Sequence, residues 1–188
     1  MTNFKDRFTL EVLAEKYGTD KLEHGYIPFY VQHLPKEPRR ILEIGVKEGK
    51  SLAMWAEYFP NAEIHGLDLF AENNVWSVAE FMALPYDDYI GDKKRIKFHT
   101  GNQCDWRMLE ELRKYDFDVI IDDGGHLSRA QLISFFGLYN GKHYFIEDLH
   151  CCDESEFYGE GLPFEMTAKK IFANGIYGVD NKIVLMHA

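Results

Sequence analysis

Arg39-Arg40-Ile41-Leu42-Glu43-Ile44-Gly45-Val46-Lys47-Glu48-Gly49-Lys50-Ser51 is the stretch on which the architecture turns. Its apolar run reads as a buried strand ending at a glycine. Leu52, Trp55, Ala56 and Phe59 follow at the i, i+3, i+4, i+7 spacing of one helical face. Pro60-Asn61 stops that helix, and Glu63-Ile64-His65-Gly66-Leu67-Asp68-Leu69 makes a second strand whose end carries an acid.

The alternation continues along the chain. Arg95 to Gly101 predicts a third strand, and Asp105 opens a helix through Leu109 and Leu112. Phe117 to Asp123 predicts a fourth strand, and the helix after it presents Leu132, Phe135, Phe136 and Tyr139. His143 to Asp148 is a fifth. Gly175 to Val179 and Lys182 to Met186 flank Asp180-Asn181 as a β-hairpin with a two-residue turn. Residues 8–17 and 25–34 predict two short helices before the first strand, and Met166 to Phe172 is weakly helical. The connection Phe70 to Lys94, with Val75, Val78, Ala79 and Met82 at helical spacing and an acidic tip at Tyr86-Asp87-Asp88-Tyr89, suits either a lid or an outer crossover helix. Strand–helix alternation demands right-handed crossovers and a mostly parallel sheet covered on both faces. The expectation is one α/β domain over residues 1–188, with a seven-stranded sheet closed by a C-terminal antiparallel hairpin.

Composition narrows the function. The 188 residues are 46% hydrophobic and 15% aromatic, enough for one core, and the formal net charge is −10. That acidity argues against nucleic acid or an anionic membrane as the main partner, since no broad basic field exists to release counterions. A metal ion or a neutral substrate remains open. Apolar runs fall short of the ~20 residues of a membrane span, and Met1 to Gly18 lacks the basic head and apolar stretch of a secretory leader. Cys104 and the adjacent pair Cys151-Cys152 form no C-x-x-C spacing, and no N-x-S/T sequon occurs. A reduced cytoplasmic protein is expected.

In an open parallel sheet, ligands bind beyond the carboxyl ends of the strands near the switch in strand order. Those ends here carry Gly45, Asp68, Asn102-Gln103, Asp122-Asp123 and Glu147-Asp148. One or two such acids would be ordinary helix caps; carboxylates after three strands exceed that and point to a ligand or metal site. Gly45 and Gly49 allow a tight turn and close approach to a ligand, but the G-x-G-x-x-G of a dinucleotide site is missing. Asp68 is placed to accept both hydroxyls of a ribose, so an adenosine ligand without a diphosphate fits. Because neighbouring strand residues point to opposite faces, Asp122 and Asp123 cannot share one task. One of them, with Glu147 and Asp148, could form an all-oxygen cage suited to Mg²⁺ or Mn²⁺. His126, past Gly124-Gly125, stands at the same mouth, and an imidazole, which in general titrates near neutrality, can take a proton from a hydroxyl held on the metal; a surface histidine at a helix N-terminus is the bland alternative. His150 suits a contact behind the cation ligands, a substrate contact or a plain loop position alike, and Cys151-Cys152 read as reduced bystanders.

These residues together resemble a known family. The chain is similar to class I S-adenosylmethionine-dependent methyltransferases, and most of all to the metal-dependent sugar O-methyltransferases of macrolide biosynthesis, of mycinamicin and macrocin type. The resemblance runs through Tyr17-Gly18-Thr19-Asp20-Lys21 with His24-Gly25-Tyr26, Ile41 to Val46, Ser51 to Trp55, Tyr58 to Asp68, and Gly101 to Asp105. It is densest at Phe117 to His126 and Ile146 to His150. It implies a Rossmann-like sandwich in which residues 1–38 cover the cofactor site, with Tyr17 to Tyr26 closing over S-adenosylmethionine. Glu43 and Gly45 would line its methionine part, Asp68 its ribose, and Asn102 and Gln103 its adenine. Thr19, Gly49, Ser51, Asp122 and Asp123 would complete that site. Asp123, Glu147 and Asp148 would hold a divalent cation, Mg²⁺ or Mn²⁺, and His126 would be the catalytic base.

The acceptor would be a hydroxyl of a small molecule or glycan, most simply a sugar of a glycosylated natural product or surface glycan, with homo-oligomerisation left open. Two alternatives stand beside this: a catechol- or phenol-type O-methyltransferase, which wants a lysine near the nucleophile and finds none after Asp123, and a non-catalytic cofactor-binding subunit. An oxidoreductase is disfavoured by the missing dinucleotide motif.

Overall fold

The computed structural model describes residues 4–70, 93–149, 172 and 174–187. In chain order these form helices α1 (Phe4–Tyr17) and α2 (Ile27–His33), strand β1 (Arg40–Ile44), α3 (Lys50–Tyr58), β2 (Glu63–Asp68) and β3 (Ile96–Thr100). Then come α4 (Trp106–Arg113), β4 (Val119–Asp122), α5 (Ser128–Leu138), β5 (His143–Ile146), β6 (Ile176–Gly178) and β7 (Ile183–Met186). The long connection after Phe70, and His150, Cys151 and Cys152, lie outside the described residues, as does most of the weakly helical stretch before Phe172.

The strands form one sheet in the order β3-β2-β1-β4-β5-β7-β6. Pairings among β1 to β5 are parallel, and β7 runs antiparallel to both β5 and β6. The expected parallel sheet with its closing hairpin is therefore present. Strand order reverses between β1 and β4, which start adjacent crossovers in opposite directions and leave a crevice at their carboxyl ends.

Alternation along β1 sets the two layers. Ile41 faces a core built with α1, α2 and α3, where Leu10, Tyr30, Leu52 and Trp55 are buried. Leu42 and Ile44 face the opposite core with Leu109, Leu112, Leu132 and Phe135 of α4 and α5. Burying such side chains contributes about 1.5–3 kcal/mol each, which offsets the ordering of the chain. Helix ends follow local chemistry. Asp105 caps α4 by accepting from the Arg107 N–H at 3.0 Å. The Arg95 guanidinium meets the last carbonyls of α3 and the loop after it, including Ala62 O at 2.9 Å.

The hairpin departs from expectation in its turn. Four residues, Val179 to Lys182, separate β6 from β7, and Val179, Asp180 and Asn181 have φ of 50°, 55° and 66°. A β-branched residue in the left-handed region is disfavoured, so the sequence alone suggested a tighter connection at Asp180-Asn181.

Candidate functional site

A cavity of about 960 Å³ opens at the carboxyl ends of β1, β2 and β4, where the strand order reverses. Its wall includes Gly18, Thr19 and Asp20 from the loop after α1, Gly45 to Glu48 after β1, and Asp68 after β2. Asn102 and Gln103 follow β3, Asp123 to Leu127 follow β4, and Asp148 follows β5.

The loop after β1 is shaped by its two glycines. Gly45 has φ +87°, and a Cβ there would lie 2.1 Å from the Asp123 carbonyl oxygen, so β1 and β4 close against each other only without a side chain. Gly49, φ +73°, stands at the N-terminus of α3. Asp68 reaches across from β2: its Oδ2 accepts from the N–H groups of Val46 at 2.7 Å and Lys47 at 3.0 Å, and its Oδ1 from Phe70 N–H at 3.0 Å. This acid thus shapes the glycine loop as well as lining the cavity, a task its position in the sequence did not disclose.

Alternation separates the paired acids. Asp123 and Asp148 face the cavity, whereas Asp122 points into the core beside α5. Asp122 accepts from Ser134, from Tyr144 Oη at 3.1 Å and from Gln103 Nε2 at 3.2 Å. Burial pushes its carboxyl up to about 6, against the pull of these donors. Gln103 also accepts from Gly125 N–H at 2.6 Å, fixing the Gly-Gly turn before His126. Asn102 accepts from Cys104 N–H at 2.8 Å in a local turn. The resemblance puts Asp122 at the cofactor, but its side chain lies behind the cavity wall, because strand alternation turns it to the face opposite Asp123. Tyr17 is likewise buried and donates to Glu57 of α3, because the end of α1 points its ring toward that helix. Thr19 and Ser51 do line the cavity.

The remaining acids meet a residue that pattern reading gave no role. Lys21 is fully buried, and its ammonium lies 2.7 Å from Asp123 Oδ2, 2.9 Å from Glu147 Oε1 and 3.3 Å from Glu43 Oε1. Burial alone would lower the lysine pKa, but Asp123, Glu147 and Glu43 outweigh it and hold Lys21 well above its ordinary value. Glu147 is raised by burial and by the Asp123 charge, Glu43 chiefly by burial. Glu43 also accepts from Ser51 Oγ at 2.8 Å. Tyr30 donates to Glu147, and Tyr26 donates to Asp148 Oδ1 at 2.6 Å. Glu43 and Glu147 therefore sit beneath the cavity floor, and Asp123 joins them to it.

Asp148 has φ +55°, a strained value for a residue with a side chain, and it occurs where the carboxylate turns toward the mouth. Two imidazoles flank it. His126 Nε2 is 3.7 Å from Oδ2, and His24 Nδ1 is 3.7 Å from Oδ1. Ligand atoms of Asp123, His126 and Asp148 all lie within 4.8 Å of one another. The two carboxylates at that spacing suit a hard divalent cation, with the His126 imidazole at its edge and Glu147 beside Lys21.

Sheet order, crossovers and cavity position together define the Rossmann-like fold of class I methyltransferases. Within that class the chain resembles the sugar O-methyltransferases of macrolide-type pathways, in sequence and in structure. It is 31% identical over 180 residues to mycinamicin VI 2''-O-methyltransferase of Micromonospora griseorubida, covering 86% of this chain and 41% of that protein. It is 32% identical over 155 residues to 8-demethyl-8-(2-methoxy-alpha-L-rhamnosyl)-tetracenomycin-C 3'-O-methyltransferase of Streptomyces olivaceus, covering 73% of this chain and 36% of that protein. The MycE methyltransferase of the mycinamycin pathway, solved with Mg and SAH, superposes with a TM-score of 0.73 at 26% identity, over 95% of this chain and 54% of that one. The chain thus spans about two fifths of the length of these curated relatives. No family model matches it. Among the described residues, no helix is long and apolar enough to cross a membrane.

Proposed function

We propose that this chain transfers a methyl group from S-adenosylmethionine to a sugar hydroxyl of a glycosylated small molecule, with a divalent cation at Asp123 and Asp148. The observation that carries this reading is the convergence of two acids and an imidazole on one end of a large cavity whose other end is a glycine turn backed by Asp68. The similarity to sugar O-methyltransferases, one of them solved with Mg and SAH, supports it.

The residues fit both groups. Asp68, Gly45, Thr19, Ser51, Asn102 and Gln103 would hold the cofactor, which supplies an electrophilic methyl group. Asp123 and Asp148 would hold the cation, joined by Glu147; the cation supplies Lewis acidity that lowers the pKa of a neighbouring hydroxyl. His126, on the mouth side of Asp148, would accept the hydroxyl proton, and Asp148 would stabilise the imidazolium that results. Leu22 and Leu127 are partly exposed on the cavity wall and offer apolar contact to the part of the acceptor that does not react. The catechol-type alternative regains a lysine through Lys21, but that ammonium is sealed under the floor by three carboxylates and has no access to a substrate.

The test is a methyl-transfer assay on paired glycosides and their aglycones, read by mass. A gain of one methyl on the sugar, lost with chelator and restored by Mg²⁺ or Mn²⁺, is expected. Transfer to a phenolic aglycone, or transfer indifferent to chelator, would overturn the proposal.

A further inference from the structure

One segment, residues 21–30, reaches every acid of the proposed cation site. Lys21 contacts Asp123 and Glu147, Tyr26 donates to Asp148, and Tyr30 donates to Glu147. The tyrosines are neutral donors, and a carboxylate has lone pairs enough to accept from them and to ligate a cation at once. Lys21 is different. Its ammonium bridges Asp123 Oδ2 and both carboxylate oxygens of Glu147, so a cation ligated by both acids would compete with it for those oxygens, and like charges so close in a buried site repel strongly.

The same segment continues into the cofactor wall. Gly18, Thr19, Asp20 and Leu22 line the cavity on either side of Lys21. Gly18 and Thr19 donate to the Ala14 carbonyl, and His24 donates to the Asp20 carbonyl at 2.9 Å. Lys21 is the charged anchor of this loop to the sheet.

Resting on the proposed metal-dependent reading, we infer that Lys21 is a tethered competitor for the divalent cation: a positioning residue whose ammonium fills the place between Asp123 and Glu147 until the ion displaces it, loosening the loop that walls the cofactor cavity. Its removal should therefore strengthen ion binding, whereas a merely structural lysine would weaken it on removal. By linkage, an ion that competes with the anchor must also weaken the anchored state by the same factor.

The test uses Mn²⁺ alone, titrated calorimetrically into the full chain and into Lys21→Met, with circular dichroism as a check on folding. The variant is expected to bind Mn²⁺ at least tenfold more tightly. Because that variant leaves buried Glu43 and Glu147, and Asp123 beside them, without their counter-charge, hydrogen exchange on the wild-type chain provides a second readout. Amides of Gly18, Thr19 and His24 are expected to exchange at least fivefold faster with saturating Mn²⁺. Equal or weaker binding by a folded Lys21→Met, or slower exchange in the loop, would overturn the inference while leaving the metal site standing. Failure of both wild type and variant to bind Mn²⁺ would overturn the metal reading and this inference with it.

Discussion

Two buried polar clusters lie on opposite faces of the sheet and meet the cost of burial by opposite means. On the α1–α3 face, Lys21 brings a positive charge among Glu43, Asp123 and Glu147. On the α4–α5 face, His65 of β2 shares a 2.8 Å hydrogen bond with His99 of β3, ringed by Tyr115 and Phe117, and burial together with His99 lowers the His65 pKa to about 4. One cluster keeps its charges and pairs them; the other stays neutral. The difference follows location. The charged cluster underlies the cavity and passes through Asp123 into it, so its charges remain available to a ligand. The histidine pair packs against aromatic rings with the Glu63–Lys97 ion pair at its edge, and burial keeps the imidazoles neutral.

Substitutions should divide along that line. The largest effect is expected at Asp148→Asn, which removes a proposed cation ligand on the cavity side. Methyl transfer should fall below detection and Mn²⁺ affinity should drop by about a hundredfold or more, the scale of a lost charged partner. The melting temperature, read alongside, should hold within a few degrees. Unfolding instead would show that the acid is structural.

His126→Ala comes next. Its kcat should drop by roughly 10²–10⁴-fold, the usual contribution of a general base, while calorimetric Mn²⁺ binding persists. Full activity would reduce His126 to a surface residue and turn attention to His24, which flanks the same carboxylate.

Asp68→Ala is expected to weaken S-adenosylmethionine by roughly ten- to hundredfold through loss of a charge-assisted acceptor. Since Asp68 also holds the amides of Val46 and Lys47, the thermal transition should move with it. A cap without a ligand role predicts the thermal change with cofactor binding intact.

The smallest effect belongs to the histidine cluster and touches stability only. In the unfolded chain His65 takes up a proton near pH 6.5, and in the folded chain only near 4. Between those values the unfolded state binds more protons, so stability falls as the pH drops from 6.5 toward 4. The loss amounts to about 3 kcal/mol at most. His65→Phe should flatten that slope in denaturant titrations and leave cofactor and Mn²⁺ binding unchanged. A changed ligand affinity would erase the division between the two clusters.

Much of this was legible in the chain. The strand–glycine–helix run from Ile41 to Phe59 and the repeated acidic strand ends pointed to the sheet and to the end at which the cavity opens. Period-two alternation also foretold that Asp122 and Asp123 would part, though not which would face the cavity. What stayed hidden was long-range. Lys21 lies 102 residues from Asp123 and 126 from Glu147, and no local periodicity connects them. Tyr17 sits in a motif with Lys21, yet the end of α1 turns the two side chains to different neighbours. Nor does the sequence show that Asp148 faces the cavity while its neighbour Glu147 lies under the floor against Lys21, where the chain leaves β5 through a left-handed residue at Asp148.

In the proposed enzyme one cavity holds the cofactor and the cation side by side. The direct measurement is nuclear relaxation of S-adenosylmethionine carrying a ¹³C-labelled methyl group, bound to the full chain with and without Mn²⁺. Strong paramagnetic broadening of the methyl signal, abolished by Asp148→Asn, is the expected result. A methyl signal that stays sharp with Mn²⁺ and cofactor both bound would contradict it.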